Sequence, residues 1–122
     1  MLLEIPNSST DALANQHVLA ITIGNEILRM KSRFAAFPAE TIGLSQLNKS
    51  IERMEAAMNN EGYEIINLAN QPYSIGMTVQ ARFIPSDVLS PGEKIISKII
   101  KPQINYKGIL VQMSEVEVTF RD

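Results

Sequence analysis

From Leu13 onward, apolar residues recur at steps of three and four: Leu13, Gln16, Ala20, Ile23, Ile27, Met30, Phe34 and Phe37. This is a heptad seam with one polar member, and it predicts a helix running to about Ala36. Val18, Ile21 and Leu28 widen its apolar face beyond a simple two-stranded seam, so the helix is expected to pack against more than one neighbour. Ser9, Thr10 or Asp11 is the expected N-cap, and residues 1–10, with Pro6 and a Ser-Ser-Thr run, read as a loosely held arm. Pro38 stops the helix, because proline disfavours helical geometry in the residue before it. A second helix, starting between Ala39 and Gly43 and ending near Asn60, carries Leu44, Leu47, Ile51, Met54 and Met58 at the same spacing. Two seams across a short connection make an antiparallel hairpin.

The period changes at Gly62, a natural helix C-cap. Residues 63–68 read as a strand, and Asn70-Gln71-Pro72 as a turn. Met77, Val79, Ala81 and Phe83 alternate with polar residues, as in a half-buried strand. Pro85-Ser86-Asp87 and Ser90-Pro91-Gly92 bracket a loop. Lys94 to Lys101 is expected to be a strand; Ile95, Ile96, Ile99 and Ile100 also suit a helix, but the flanking turn residues and β-branched content decide. Pro102 to Lys107 reads as a turn-like tip closed by Gly108. Between Ile109 and Phe120 the apolar parity switches from odd (Ile109, Val111, Met113) to even (Val116, Val118, Phe120). A bulge near Ser114 and Glu115 would keep both sets on one face. The expected fold is therefore α+β: an N-terminal helical hairpin (residues 1–61), then a compact, mostly antiparallel β domain (residues 62–122).

Two helices alone make a thin core. Hairpins from two chains would enclose both seams in a four-helix bundle, and Ile23, Ile27, Met30, Leu47, Ile51 and Met54 would line that homodimer interface. The competing arrangement packs the hairpin on its own β domain.

Composition narrows the function. With 122 residues, 45% of them apolar and 20% charged, the chain has enough core to fold without disulfides or metal. There is no cysteine, which excludes thiol catalysis and thiolate metal sites and suits a reducing, cytoplasmic compartment. No signal segment opens the chain and no apolar run approaches the ~18 residues of a membrane span, so no membrane role is expected. Net charge is −2 and the cations are scattered; the densest group, Arg29, Lys31 and Arg33, complements a helix C-terminus rather than nucleic acid.

The lone histidine, His17, lies beside the first seam with no cysteine or paired carboxylates near it in sequence, which predicts a packed or surface residue rather than a metal ligand. Ser8, Ser9 and Ser90 lack the context of an activated nucleophile. Glu61, Glu64, Asp87 and Glu93 read as turn or strand-face residues, and no phosphate-cradling or metalloprotease motif occurs. The expectation is a protein-binding module without cofactor or metal, and not an enzyme.

The order of elements from Leu47 onward resembles the GrpE family, nucleotide exchange factors of DnaK-type chaperones. Leu47 to Gly62 is similar to that family's last bundle helix, and Gly62-Tyr63-Glu64-Ile65-Ile66 to its Gly-Val-x-x-Ile continuation. Pro72-Tyr73-Ser74-Ile75 stands at its hydrophobic-Asp-Pro turn, and Val79-Gln80-Ala81 at its His-Gln/Glu-Ala. Pro91-Gly92 matches the loop before its third strand, Ile104 to Gly108 its Tyr-x-Leu-x-Gly hairpin, and Val116-Glu117-Val118 its closing Val-x-Val. Departures are Ser74-Ile75 for Asp-Pro, Thr78 or Val79 for the histidine, Pro102-Gln103-Ile104 for Lys-Gly-Tyr and Ile109 for an arginine; the long helical stalk is missing as well.

The resemblance implies a stress-response exchange factor whose β domain wedges open a DnaK-type chaperone or a divergent chaperone-like ATPase. Ile100, Lys107, Ile109 and Val118 would make the contact, with Lys107 standing in for the missing cation. Ile100, Ile109 and Val118 equally suit a β core. The alternative is a dimeric adaptor or scaffold subunit that has the fold without the exchange activity.

Overall fold

A computed structural model describes the backbone of residues 4–122, with side chains from Asp11 onward. The chain divides into two compact units, Met1–Tyr63 and Glu64–Asp122.

The first unit holds α1 (Glu4–Ala35) and α2 (Leu44–Asn60). Their 32 and 17 residues correspond to about 48 Å and about 26 Å of helix. α1 starts earlier than the sequence suggested. Ser9, Thr10 and Asp11 are inside it rather than capping it, and the expected arm is helical from Glu4; only its first three residues lie outside the described region. Pro6 does not prevent this, because the first turn needs no N–H from it.

The buried stripe of α1 runs through Ala20, Gly24, Ile27 and Leu28, with His17, Ile21 and Phe34 half-buried along it. On α2 it runs through Leu44, Ile51 and Met58. Burying each large aliphatic side chain contributes about 1.5–3 kcal/mol. The exposed Lys31–Glu55 ion pair between the helices (3.2 Å) adds at most about 1 kcal/mol. Apolar packing therefore holds the hairpin. Gly43, at φ 85°, leads into α2 without a side-chain cap. Gly62, at φ 96°, closes the helix by donating its N–H to the Asn59 carbonyl (2.9 Å), a left-handed stop that suits glycine alone.

The β half contains two three-stranded sheets rather than one. The first has the order β1 (Tyr63–Ile66), β4 (Gln103–Tyr106), β5 (Ile109–Gln112); the second has the order β2 (Val79–Pro85), β6 (Ser114–Phe120), β3 (Lys94–Lys101). β4–β5 and β3–β6 are antiparallel, while β2 runs parallel to β6. Ile96, Val116 and Val118 are fully buried at the centre of the second sheet, and Leu68, Tyr73, Met77, Val79, Ala81 and Ile99 pack around them. Asn70 to Tyr73 lies along β3, with Asn70 N–H donating to the Ile96 carbonyl, Ile96 N–H to Gln71 and Tyr73 N–H to Lys94.

Two expectations for this half are corrected. The parity switch after Met113 is a change of sheet, not a bulge near Ser114 and Glu115: β5 ends at Gln112 and β6 begins at the buried Ser114, whose hydroxyl donates to the Lys101 carbonyl (2.9 Å). The bulges of this sheet are on β3, where Ser97 and Ile100 are each skipped in the register with β6. The skip at Ser97 shifts the alternation by one residue, so Ile96 and Ile99 share the core face although three positions apart, while Lys98 between them stays exposed. Pro102 to Lys107 is likewise not a turn. Gln103–Tyr106 forms β4, and the turn is Lys107-Gly108 alone, with φ of 48° and 81°. Two positive φ values make a type I′ turn, whose twist matches the strands it joins.

Candidate functional site

The β4–β5 hairpin presents its tip to solvent. Lys107 is exposed, and its ammonium lies 5.1 Å from the centre of the Tyr106 ring, a cation–π contact. Ile109, on the other side of the turn, is 70% exposed, and Leu110 and Met113 are exposed as well. The tip therefore carries a cation beside uncovered apolar groups, on a hairpin held by a tight turn.

The other two residues expected at this surface are placed elsewhere. Val118 is fully buried in the core of the second sheet, where no partner reaches it without unfolding; its partners across the sheet are Phe83 and Ile96. Ile100 is half-buried at the second β3 bulge, beside a concavity of about 180 Å³ that Gln80, Arg82 and Glu115 also line. That face of the second sheet carries a charge ladder: Glu117 stands between Arg82 and Lys98, and Glu115 stands beside Lys101 at 4.0 Å. Such cross-strand pairs support the sheet by roughly 0.2–1 kcal/mol each.

The helical unit has a second candidate surface. Ile27 and Ile51, expected at a dimer interface, are 1% and 2% exposed within the single chain, so they belong to its interior. The reason is register. The buried stripe of α1 passes through Gly24 and Leu28, rotated from the seam read through Ile23 and Met30. Ile23 and Leu47 are exposed and Met30 and Met54 are half-buried; these four remain available at the surface. Leu19, which the heptad reading did not include, joins them. With Gln16, Ala20, Ile23, Ala57, Met58, Glu61 and Tyr63 it lines a groove of about 290 Å³.

At one end of that groove Tyr63, almost wholly buried, receives a hydrogen bond from the Gln16 side-chain amide (3.1 Å), and its hydroxyl lies 2.5 Å from His17 Nδ1. The two rings meet edge to face at 5.6 Å. His17 thus ties α1 to the residue that follows the α2 stop. Among the described residues, no group of three His, Cys, Asp or Glu side chains is placed to hold a metal ion, and no helix is long and apolar enough to cross a membrane. Neither a scan against protein-family models nor a search of curated proteins finds a match to the chain.

Proposed function

We propose that the protein is a GrpE-like nucleotide exchange factor that promotes ADP release from a DnaK-type chaperone or a divergent chaperone-like ATPase. The observation that carries this reading is the exposed β4–β5 tip, Lys107 with Ile109, at the position of the resembled family's late hairpin. The element order supports it: a helical hairpin stopped at Gly62, then short strands. An exchange factor acts by binding the open, nucleotide-poor state of its ATPase more tightly than the closed state. Lys107 steers the encounter and Ile109 supplies the apolar contact. The working form is a homodimer joined through the helical face of Leu19, Ile23, Met30, Leu47 and Met54, which a second hairpin covers.

The second reading, a dimeric adaptor with the same fold and no exchange activity, is favoured by one observation. The Lys107 ammonium is engaged by the Tyr106 ring, and the neighbouring position is Ile109 where the family carries arginine. Release of labelled ADP from candidate chaperones, with and without the protein, separates the two. Faster release supports the exchange factor; stable complex formation with no change in release supports the adaptor.

A further inference from the structure

The edges of the two sheets are finished differently. β3 carries Lys94, Lys98 and Lys101, has two bulges, and has Asn70 to Tyr73 bonded alongside it. β2 carries Arg82 and ends in Pro85. These are the usual devices by which a strand refuses a further neighbour. β5 has little of this. It is an edge of its sheet among the described residues, and Ile109–Gln112 contains no charge and no proline, with one irregularity at Val111. Tyr106 and Ile109 flank the two-residue turn and pair with each other, and Asn105 pairs with Leu110. In an antiparallel ladder the hydrogen-bonded and non-hydrogen-bonded pairs alternate. The N–H and C=O of Leu110 therefore point away from β4, beside exposed Ile109 and Leu110 side chains.

We propose that β5 takes up an extended, apolar peptide segment of the partner as a fourth strand, uncharged except for an acidic residue at one end that meets Lys107. This rests on the reading of the hairpin as the partner-contact surface and specifies how the contact is made: through the main chain, by strand addition. Size and charge choose the occupant. A four-residue edge buries far less than the roughly 1,200 Å² of a stable dimer. It suits a transient peptide rather than a second copy of this chain. Lys107 at the turn selects for negative charge at one end of the peptide, and the uncharged strand selects for none along the rest.

The test uses the full chain and a labelled short peptide of alternating valine and threonine with one terminal aspartate, alongside the same peptide with lysine in place of aspartate. The aspartate peptide is expected to bind and to slow hydrogen exchange at the Leu110 amide, and the lysine peptide to bind several-fold more weakly. Leu110→Pro removes the outward N–H but no β4–β5 bond, a position where an edge strand tolerates proline; it should weaken binding at least tenfold. Leu110→Ala keeps the main chain and should weaken it less. Equal losses in the two variants would show side-chain docking and overturn the proposal, as would self-association abolished by Leu110→Pro, which would make the occupant a second copy. If Leu110→Pro does not fold, exchange at the Leu110 amide in the unaltered protein decides, and no protection by the peptide overturns the proposal. ADP release, measured separately, isolates the two readings. Stimulated release with no peptide binding and a fully active Leu110→Pro leaves the exchange factor standing without strand addition. Leu110→Pro-sensitive peptide binding with no stimulated release leaves strand addition standing without exchange.

Discussion

Ile23 and Ile27 lie one turn apart on α1, yet the first is 37% exposed and the second 1%. Truncating each to alanine should therefore have very different costs. Ile27→Ala removes a fully buried branched side chain opposite α2, losing about 2 kcal/mol of transfer energy and a further 1–2 kcal/mol for the cavity left in a packed hairpin. The total, about 3–4 kcal/mol, is a large part of the roughly 5–15 kcal/mol by which a domain of this size is stable. With a urea dependence of about 1.5 kcal/mol per molar, the midpoint should fall by about 2 M. Ile23→Ala should cost less than about 1 kcal/mol in dilute monomer, because much of that side chain is already in water. Urea unfolding followed by the helical circular dichroism signal measures both, at two protein concentrations. The proposed dimer adds a signature: the cost of Ile23→Ala should rise with concentration, whereas most of the cost of Ile27→Ala should be present at any concentration. Equal costs for the two variants at every concentration would refute the assigned register of α1.

Other substitutions test other parts of the fold. Gly108→Ala should cost about 1–2 kcal/mol from backbone strain alone, since a Cβ there meets nothing within 4 Å but φ is +81°. Gly76→Ala, equally unobstructed and free of positive φ, should be neutral or stabilising by up to about 1 kcal/mol in the same melts. Tyr63→Phe deletes the hydroxyl shared by Gln16 and His17 and should cost about 1 kcal/mol, with a shift of the His17 imidazole resonances that Phe34→Leu, near the other end of α1, does not produce.

Much of the fold was legible in the residues, and the places where it was not have physical causes. The end of α2 at Asn60, just before Gly62, and the bounds of β3 follow from turn residues and propensity that nothing in the fold opposes. The three-residue spacing of Ile96 and Ile99 imitated a helix, because the bulge at Ser97 between them restores an inward side chain after an odd step. The Lys107-Gly108 turn was masked because lysine at its first position gives no sign of positive φ, where asparagine would have. The α1 seam shares Ala20, Ile27 and Phe34 with the buried stripe but was centred toward Ile23 and Met30, because Gly24, with no side chain to count as apolar, lies in the middle of the buried side. The same limits governed the site. Lys107 and Ile109 lie on an exposed tip, but an inward Val118 and an outward Ile109 look alike in sequence, and only the change of sheet at Met113 separates them.

The most direct test of the exchange-factor account is the rate of labelled ADP release from a DnaK-type chaperone, with the unaltered protein, with Lys107→Glu, and with Lys49→Glu on exposed helix surface as control. The account predicts that the unaltered protein and Lys49→Glu accelerate release equally. It predicts that Lys107→Glu, with an unchanged melting temperature, needs at least several-fold more protein for the same rate, the deficit shrinking as salt screens the charge. Equal acceleration by all three proteins would remove the hairpin from the contact, and no acceleration by any of them, across the candidate chaperones, would contradict the account.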